Sequence, residues 1–234
     1  NISIPGNKLL AFPGLENSTY NRYYTVGQPL NILKGYHYLG VNPQTGVYEF
    51  EDVNKDGKIT LSGDYTATKK IGVILYGGLQ NALRYKGWQL DVLCHFVKQQ
   101  RYDYLSVFAH SAPGTGMVNQ PLEVLQRWTA PGDRTSIQRF TQNVTDVYNA
   151  NSLKSESDAA ITDASFIRLK NVNLSWELPA KWIQRLHLQS VRCYIQGQNL
   201  LTITGYSGRD PEVATNLDVY PPLRVWTLGL QLNL

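Results

Sequence analysis

The sequence lacks any run of about 18 consecutive apolar residues, which excludes a transmembrane helix. Charged residues make up only 17%, less than the roughly one quarter that is usual in soluble domains. No cluster of Lys or Arg exceeds a pair, so the net charge of +4 does not indicate a nucleic-acid-binding surface. None of the four histidines falls in a Ser/His/Asp or metal-ligand motif, and we therefore do not predict an enzyme.

Helical patterns are scarce, whereas aromatic residues and glycines are abundant (15 Tyr, 5 Trp and 19 Gly), which predicts an all-β protein. Five stretches alternate between apolar and polar residues with a period of two, as a strand with one apolar face does. They are "IGVILYGGLQNALRY" (71–85), "WQLDVLCHF" (88–96), "VNLSWEL" (172–178), "VRCYIQGQNLLTIT" (191–204) and "WTLGLQLNL" (226–234). A sixth, less regular strand is expected within residues 20–34.

Short and long connections alternate between these strands. "YKGW" (85–88) predicts a tight hairpin turn, and "LPAKWIQRLHLQ" (178–189) predicts a short link with a turn of helix. In contrast, residues 35–70, 105–164 and 205–222 are long, polar and rich in Gly, Pro, Asn and Asp. In outer-membrane barrels the short turns face the periplasm and the long loops face outside. Aromatic residues near the strand ends fit the girdles of such a barrel: Tyr85, Trp88, Trp176, Trp182 and Trp226.

The stretch "DVNKDGKIT" (52–60) opens like the calcium loop of an EF-hand, with Asp52, Asn54 and Asp56 at alternate positions and Gly57 at the sixth. The twelfth position, where a bidentate Glu is needed, is Gly63, and the flanking stretches favour strands over helices. Two interpretations remain open. One is an Asx-rich turn without metal, and the other is a structural Ca²⁺ site. Its expected ligands are Asp52, Asn54, Asp56, the Lys58 carbonyl and Asp64.

Alternation with one polar face also fits a soluble β-sandwich. The alternative hypothesis is therefore a soluble, calcium-stabilised, carbohydrate-binding β-sandwich. The last residues favour the membrane instead, because "TLGLQLNL" (227–234) resembles the C-terminal signal by which outer-membrane barrels are recognised for insertion. Thr227, Gly229, Leu232 and Leu234 fill its fixed positions, although Leu234 replaces the more usual terminal aromatic.

Most of the chain resembles the C-terminal part of the SusC/RagA-type TonB-dependent transporters of Gram-negative outer membranes. The most specific resemblance is the run 163–179 ("DASFIRLKNVNLSWELP"), followed by "GQNL" (197–200) and "DPE" (210–212). Further matching stretches are "YYTVGQPL" (23–30), "DVNKDGKIT" (52–60), "YGGLQNALRYKGWQLDV" (76–92), "RWTAPGD" (127–133), "YIQGQNLLTITGYSGRDPEV" (194–213) and "YPPLRVWTLGLQLNL" (220–234).

The resemblance implies an antiparallel transmembrane β-barrel of about 22 strands whose lumen holds an N-terminal plug. It also implies import of oligosaccharides or peptides with a SusD-like surface lipoprotein, energised by TonB acting on the plug. Residues 1–234 would supply about six C-terminal strands, fewer than the roughly eight of the smallest barrels. We therefore expect the remaining strands, the plug and the TonB-contacting segment to lie outside this sequence.

The resemblance places candidate contacts for substrate or lipoprotein in the long extracellular loops. Their aromatic side chains could stack on sugar rings or pack on peptides: Tyr102, Tyr104, Trp128, Tyr206 and Tyr220. His95, Asp91 and Glu177 are expected to line the water-filled lumen. Cys94 and Cys193 lie on strands that another strand separates, so they should stand roughly 10 Å apart. A disulfide needs Cα atoms within about 7 Å, and we predict two free thiols.

Overall fold

The computed structural model describes residues 1–108, 114, 119–143, 145–183, 188–213 and 219–233. These residues form two units, one comprising 1–5, 73–99 and 164–234 and the other 6–72 and 100–163. The strands are β1 (Ile2–Ser3), β2 (Ile32–Gly35), β3 (Tyr38–Val41), β4 (Tyr48–Phe50), β5 (Ala67–Lys70), β6 (Gly72–Tyr85), β7 (Trp88–Tyr102), β8 (Ile161–Asp163), β9 (Phe166–Glu177), β10 (Ser190–Thr204) and β11 (Val225–Asn233). The α-helices are α1 (Leu61–Asp64), α2 (Tyr104–Phe108), α3 (Asp146–Ser155) and α4 (Ala180–Ile183). No helix within the described ranges is long and apolar enough to cross a membrane.

The first unit is a sheet of long strands in the order β1-β6-β7-β9-β10-β11. Its five long strands are the five that alternation predicts, and the strand pairs with a resolved register are antiparallel. The expected sixth strand is placed differently. Ile32–Gly35 pairs with Ala67–Lys70 in a separate two-stranded sheet, and the short β1 occupies the edge beside β6. Residues 20–34 offer too little alternation to build a long strand with one apolar face.

Two short connections of this sheet confirm the sequence prediction. Strands β6 and β7 are joined by Lys86 and Gly87, whose φ angles of 45° and 84° are both positive. Two consecutive positive φ angles define the tight hairpin turn whose twist matches that of the strands. Gly87 also has no room for a side chain, since a Cβ there would lie 2.8 Å from the Glu177 carbonyl oxygen. The link after β9 contains α4, the predicted turn of helix.

A β-bulge in β9 explains an irregularity in its sequence. Along β7, the successive residues Leu93 and Cys94 pair with Asn171 and Leu169, so Lys170 is the extra residue. A bulge of this kind shifts the alternation by one residue. As a result, Leu169 lies on the same face as Val172 although the two are an odd number of positions apart. One face of β9 therefore stays apolar along its whole length.

The second unit contains two small antiparallel sheets, β2–β5 and β3–β4, together with α3. Its core is largely aromatic: Tyr36, Tyr48 and Phe50 pack together with Ala150. Tyr36 and Tyr65 meet edge to face with their ring centroids 5.0 Å apart, a favoured geometry for aromatic pairs. The long segments between the barrel-type strands are thus folded in part, in a unit with its own small core.

Candidate functional site

One face of the long-stranded sheet is continuously apolar across neighbouring strands. Leu230 pairs with Cys193, and Leu228 pairs with Ile195, which in turn pairs with Leu174. Leu174 pairs with Leu90 on the next strand. Many side chains of this face are exposed, and Leu228 keeps 79% of its surface accessible. A row of exposed apolar pairs over several strands is the pattern expected of a surface in contact with lipid.

The short-turn end of this face is lined with aromatic rings. The indoles of Trp88 and Trp176 are stacked with centroids 5.5 Å apart, and Trp182 meets Trp176 edge-on at 5.6 Å. Tyr85 lies at the same hairpin, where the Lys86 ammonium sits 5.1 Å from its ring centroid. Aromatic rings with a polar edge concentrate at membrane–water interfaces. Four of the five aromatic residues named from the sequence therefore lie at one end of the sheet, and three of them are in ring contact.

The opposite face is polar and hydrogen-bonded between strands. Asn173 donates to Asp91 at 3.3 Å, and Arg192 donates to the Ser175 hydroxyl at 2.7 Å. Together with neighbouring residues these groups line a shallow concave surface: Asp91, Asn171, Asn173, Arg192, Tyr194, Gln196 and Gln231. The polar character matches a lumen wall, as the sequence predicts for Asp91.

A buried arginine on the polar face was not identified from the sequence. Arg168 is 1% exposed and forms ion pairs with Asp210 and Glu212 of the segment that follows β10. Its Nε also donates to the Thr202 hydroxyl at 3.0 Å, and Lys170 lies 3.5 Å from Glu212. Buried guanidinium groups require such charged partners. In the sequence, the only sign of this ion-pair cluster is the "DPE" run (210–212), which is part of the family resemblance.

The same segment is fixed by a second contact from the sheet. The Gln99 amide donates to the Pro211 carbonyl at 2.8 Å and to the Ala164 carbonyl at 3.0 Å. Within the segment, the Asp210 carboxylate accepts from the Glu212 backbone N–H at 2.9 Å. The beginning of loop 205–222 is thereby held against the polar wall by side chains of two strands, β7 and β9.

The predicted insertion signal lies on β11. Thr227 and Leu232 are exposed, Gly229 is half-buried, and Leu234 lies outside the described residues. Gly229 pairs directly with Tyr194 of β10. A Cβ on Gly229 would lie 2.1 Å from Cζ of Tyr194, so the tyrosine ring occupies the space that a side chain would need. The glycine of the signal thus has a packing role in the last strand pair.

The Asp/Asn loop is closed by its own hydrogen bonds. Asp52 accepts from the Gly57 N–H at 2.8 Å, and Asp56 accepts from the Lys58 N–H at 2.8 Å. Asp64 is fully buried and accepts from the backbone N–H groups of Thr60 (2.7 Å) and Val53 (2.8 Å). These donors, led by Thr60, lower the pKa of the Asp64 carboxyl.

Each oxygen of the Asp64 carboxylate accepts one backbone N–H, from Val53 and from Thr60. The Asn54 amide lies against Gly63 at position twelve and would have to shift to make room for a side chain there. Across the described ranges, no three His, Cys, Asp or Glu side chains are grouped so that they could hold a metal ion. Calcium binding by Asp52, Asn54, Asp56, the Lys58 carbonyl and Asp64 stays a prediction.

The five loop aromatics differ widely in exposure. Tyr220 is 86% exposed and Tyr102 is 39% exposed, whereas Tyr206 is buried at 6%. Tyr104 is half-buried, as is Trp128, whose indole N–H donates to the Pro43 carbonyl at 3.0 Å. A Cβ on Gly46 would overlap the Trp128 ring, so the indole packs against that backbone. Tyr220 presents the largest surface to a ligand, and the contact role of all five stays a prediction.

Both cysteines are free, as predicted. Cys94 pairs with Leu169 and Cys193 pairs with Trp176, so strand β9 separates them.

The sequence matches no family model. Among curated proteins it is 27% identical over 90% of its length to TonB-dependent receptor P3 of Formosa agariphila. It is also 36% identical over 80 residues to the TonB-dependent receptor SusC of Bacteroides thetaiotaomicron. The chain spans 21% of the first relative and 8% of the second.

Two solved structures of RagAB have the same fold. The RagAB peptide transporter superposes with a TM-score of 0.70 and 23% identity, covering 89% of this chain and 23% of that one. The 'open-open' state of the RagAB peptide importer gives a TM-score of 0.68, covering 87% and 22%. The sheet therefore has the fold of a segment of an antiparallel transmembrane β-barrel. In sequence, the chain is similar to TonB-dependent receptors of the SusC/RagA type.

Proposed function

We propose that this chain is the C-terminal barrel part of a TonB-dependent transporter in the outer membrane of a Gram-negative bacterium. The transporter imports peptides or oligosaccharides together with a SusD-like surface lipoprotein. The observation that supports this most is the continuous apolar face, paired strand by strand, on a sheet whose opposite face is polar. Such a sheet is stable where one side meets lipid and the other a hydrated lumen.

The polar face fits the wall of a hydrated lumen that holds a plug. On this wall Asn173 donates to Asp91 and Arg192 donates to Ser175. Arg168 fixes the start of a long loop against it. A plug inside the barrel would pack against such a wall, and TonB would act on the plug from the periplasm. The plug and the remaining strands come from residues outside this sequence.

Peptides are the first substrate class to test, because the structural neighbours are a peptide importer and a peptide transporter. The experiment is uptake of labelled oligopeptides and, separately, labelled oligosaccharides by cells that express the full-length transporter with its lipoprotein. We expect uptake of one class, and its loss when TonB or the transporter is deleted. Uptake that persists without TonB would contradict the proposal. If the lipoprotein does not co-purify with the transporter, the proposed partnership between the two proteins is wrong.

A soluble, calcium-stabilised, carbohydrate-binding sandwich is not favoured. A soluble sheet would bury its apolar face, whereas Leu228, Trp226 and Leu79 of this face are all more than 60% exposed.

A further inference from the structure

Within the described parts of the five long strands (β6, β7, β9, β10 and β11), one charged residue lies on the apolar face. This residue is Lys98, which follows Cys94 and Phe96 on the same side of β7. It is exposed, and no described side chain forms an ion pair or hydrogen bond with its ammonium group. An unpaired cation on a lipid-facing surface is costly unless it reaches the lipid headgroups.

The strand length places Lys98 at headgroup depth. Trp88 belongs to the aromatic end of the sheet, and Lys98 lies ten positions further along the same strand. A strand rises about 3.3 Å per residue, and a tilt of about 40° reduces ten residues to a height of roughly 25 Å. This height equals the apolar band of outer-membrane barrels. Lys98 therefore lies at the interface opposite the short turns, on the side of the long loops.

This lysine is part of the lining of a shallow apolar groove. Leu75, Phe96, Ile167 and Ile203 line it, with Lys98 among the lining residues. Ile167 and Ile203 are directly paired across β9 and β10, and each is at least half exposed. The groove thus offers branched and aromatic side chains to a hydrocarbon chain. Its cation lies two positions beyond Phe96 on β7, in the direction of the long loops.

We propose that Lys98 and this groove bind a phosphate-bearing lipid of the outer leaflet, with an acyl chain in the groove and the phosphate on the lysine ammonium. The inference rests on the proposed membrane orientation. Apolar lining matches the acyl chain, and the lone cation matches the anionic headgroup in charge. Free phosphate would gain nothing from the groove, so the shape of the site favours a lipid over an inorganic ion.

Native mass spectrometry of the full-length transporter in detergent tests this site, with monophosphoryl lipid A as the probe. Lys98→Gln should weaken binding by about fivefold, the effect of one basic residue near an anionic lipid. Lys98→Arg, which keeps the charge, should bind like the wild type. Lys86→Gln is the matched control, because Lys86 lies at the opposite end of the sheet, and it should leave binding unchanged.

Three outcomes would overturn the proposal. Equal binding by Lys98→Gln and the wild type would remove the lysine from the site. If dephosphorylated lipid A binds the wild type as tightly as monophosphoryl lipid A does, the groove recognises acyl chains only. Competition by millimolar inorganic phosphate would indicate a free-ion site. Each result is separate from the uptake assay, so TonB-dependent uptake with unchanged Lys98→Gln binding would refute the lipid site alone.

Discussion

The ring of Tyr194 lies over Gly229 of the neighbouring strand, in the position that a side chain at residue 229 would occupy. An aromatic ring over a strand glycine fills the gap in the sheet surface and fixes the register of the two strands. The Tyr194 ring therefore explains why residue 229 of the predicted insertion signal is a glycine in this chain.

Gly229→Ala should reduce the amount of transporter that assembles in the outer membrane. The new Cβ would overlap the Tyr194 ring, and overpacking of this kind costs about 1–3 kcal/mol. The measurement is the heat-modifiable, folded fraction of the full-length protein in outer-membrane extracts. Tyr194→Ala in the same protein should restore assembly. Gly205→Ala is the control, since a Cβ there meets no atom within 4 Å. An assembly defect that Tyr194→Ala does not relieve would contradict the packing role.

Arg168→Ala should release the start of loop 205–222 from the wall. Removing one partner of a buried ion pair costs roughly 3–5 kcal/mol, because the remaining charges lose their compensation. Hydrogen–deuterium exchange of the full-length transporter should show faster exchange in residues 205–213. Lys170→Ala provides the comparison, because this more exposed pair is worth only about 0–1 kcal/mol. Equal exchange in the two variants would show that Arg168 does not fix the loop.

The sequence predicted the five long strands because each has a period-two pattern, and it predicted the hairpin because "YKGW" contains the required glycine. The Arg168 cluster could not be predicted in the same way. Its carboxylate partners, Asp210 and Glu212, are more than 40 positions away. The period-two pattern of residues 172–178, extended backwards, would place Arg168 on the apolar face, because the pattern does not show the bulge at Lys170 that moves it to the polar face. Likewise, the exposure of Tyr206 and Tyr220 depends on loop packing, which local residue patterns do not determine.

The turn that contains Asp64 should loosen in acid. Backbone N–H groups of Thr60 and Val53 stabilise the carboxylate, so the pKa of Asp64 is lower in the folded protein than in the unfolded chain. The stabilisation is therefore fully present above the unfolded pKa of about 4 and is lost as pH falls through the folded value. Limited proteolysis of the full-length transporter within residues 52–66 should accelerate at low pH. Asp64→Asn should be cleaved readily at every pH, whereas a wild-type rate independent of pH would contradict this role.

Calcium is tested separately at the same loop. The expected ligands are Asp52, Asn54, Asp56, the Lys58 carbonyl and Asp64. If they bind the ion, 1 mM Ca²⁺ should slow deuterium exchange in residues 52–60, because this concentration is on the order of the dissociation constants of weak extracellular calcium modules. Asp52→Ala should abolish the change, and Mg²⁺ should not reproduce it. An exchange rate that Ca²⁺ leaves unaltered would show that hydrogen bonds alone close the turn.

The most direct test of the two-faced sheet is lipid quenching at adjacent positions of β11. Single cysteines at Leu230 and Gln231 are introduced into the full-length transporter after Cys94→Ser and Cys193→Ser, and each is labelled with an environment-sensitive fluorophore. Leu230 pairs with Cys193 on the apolar face, whereas Gln231 lines the polar surface with Asp91. In vesicles that contain doxyl-labelled lipids, we expect strong quenching at 230 and little at 231. Equal quenching at both positions, or stronger quenching at 231, would contradict a barrel wall with lipid on one side and a lumen on the other.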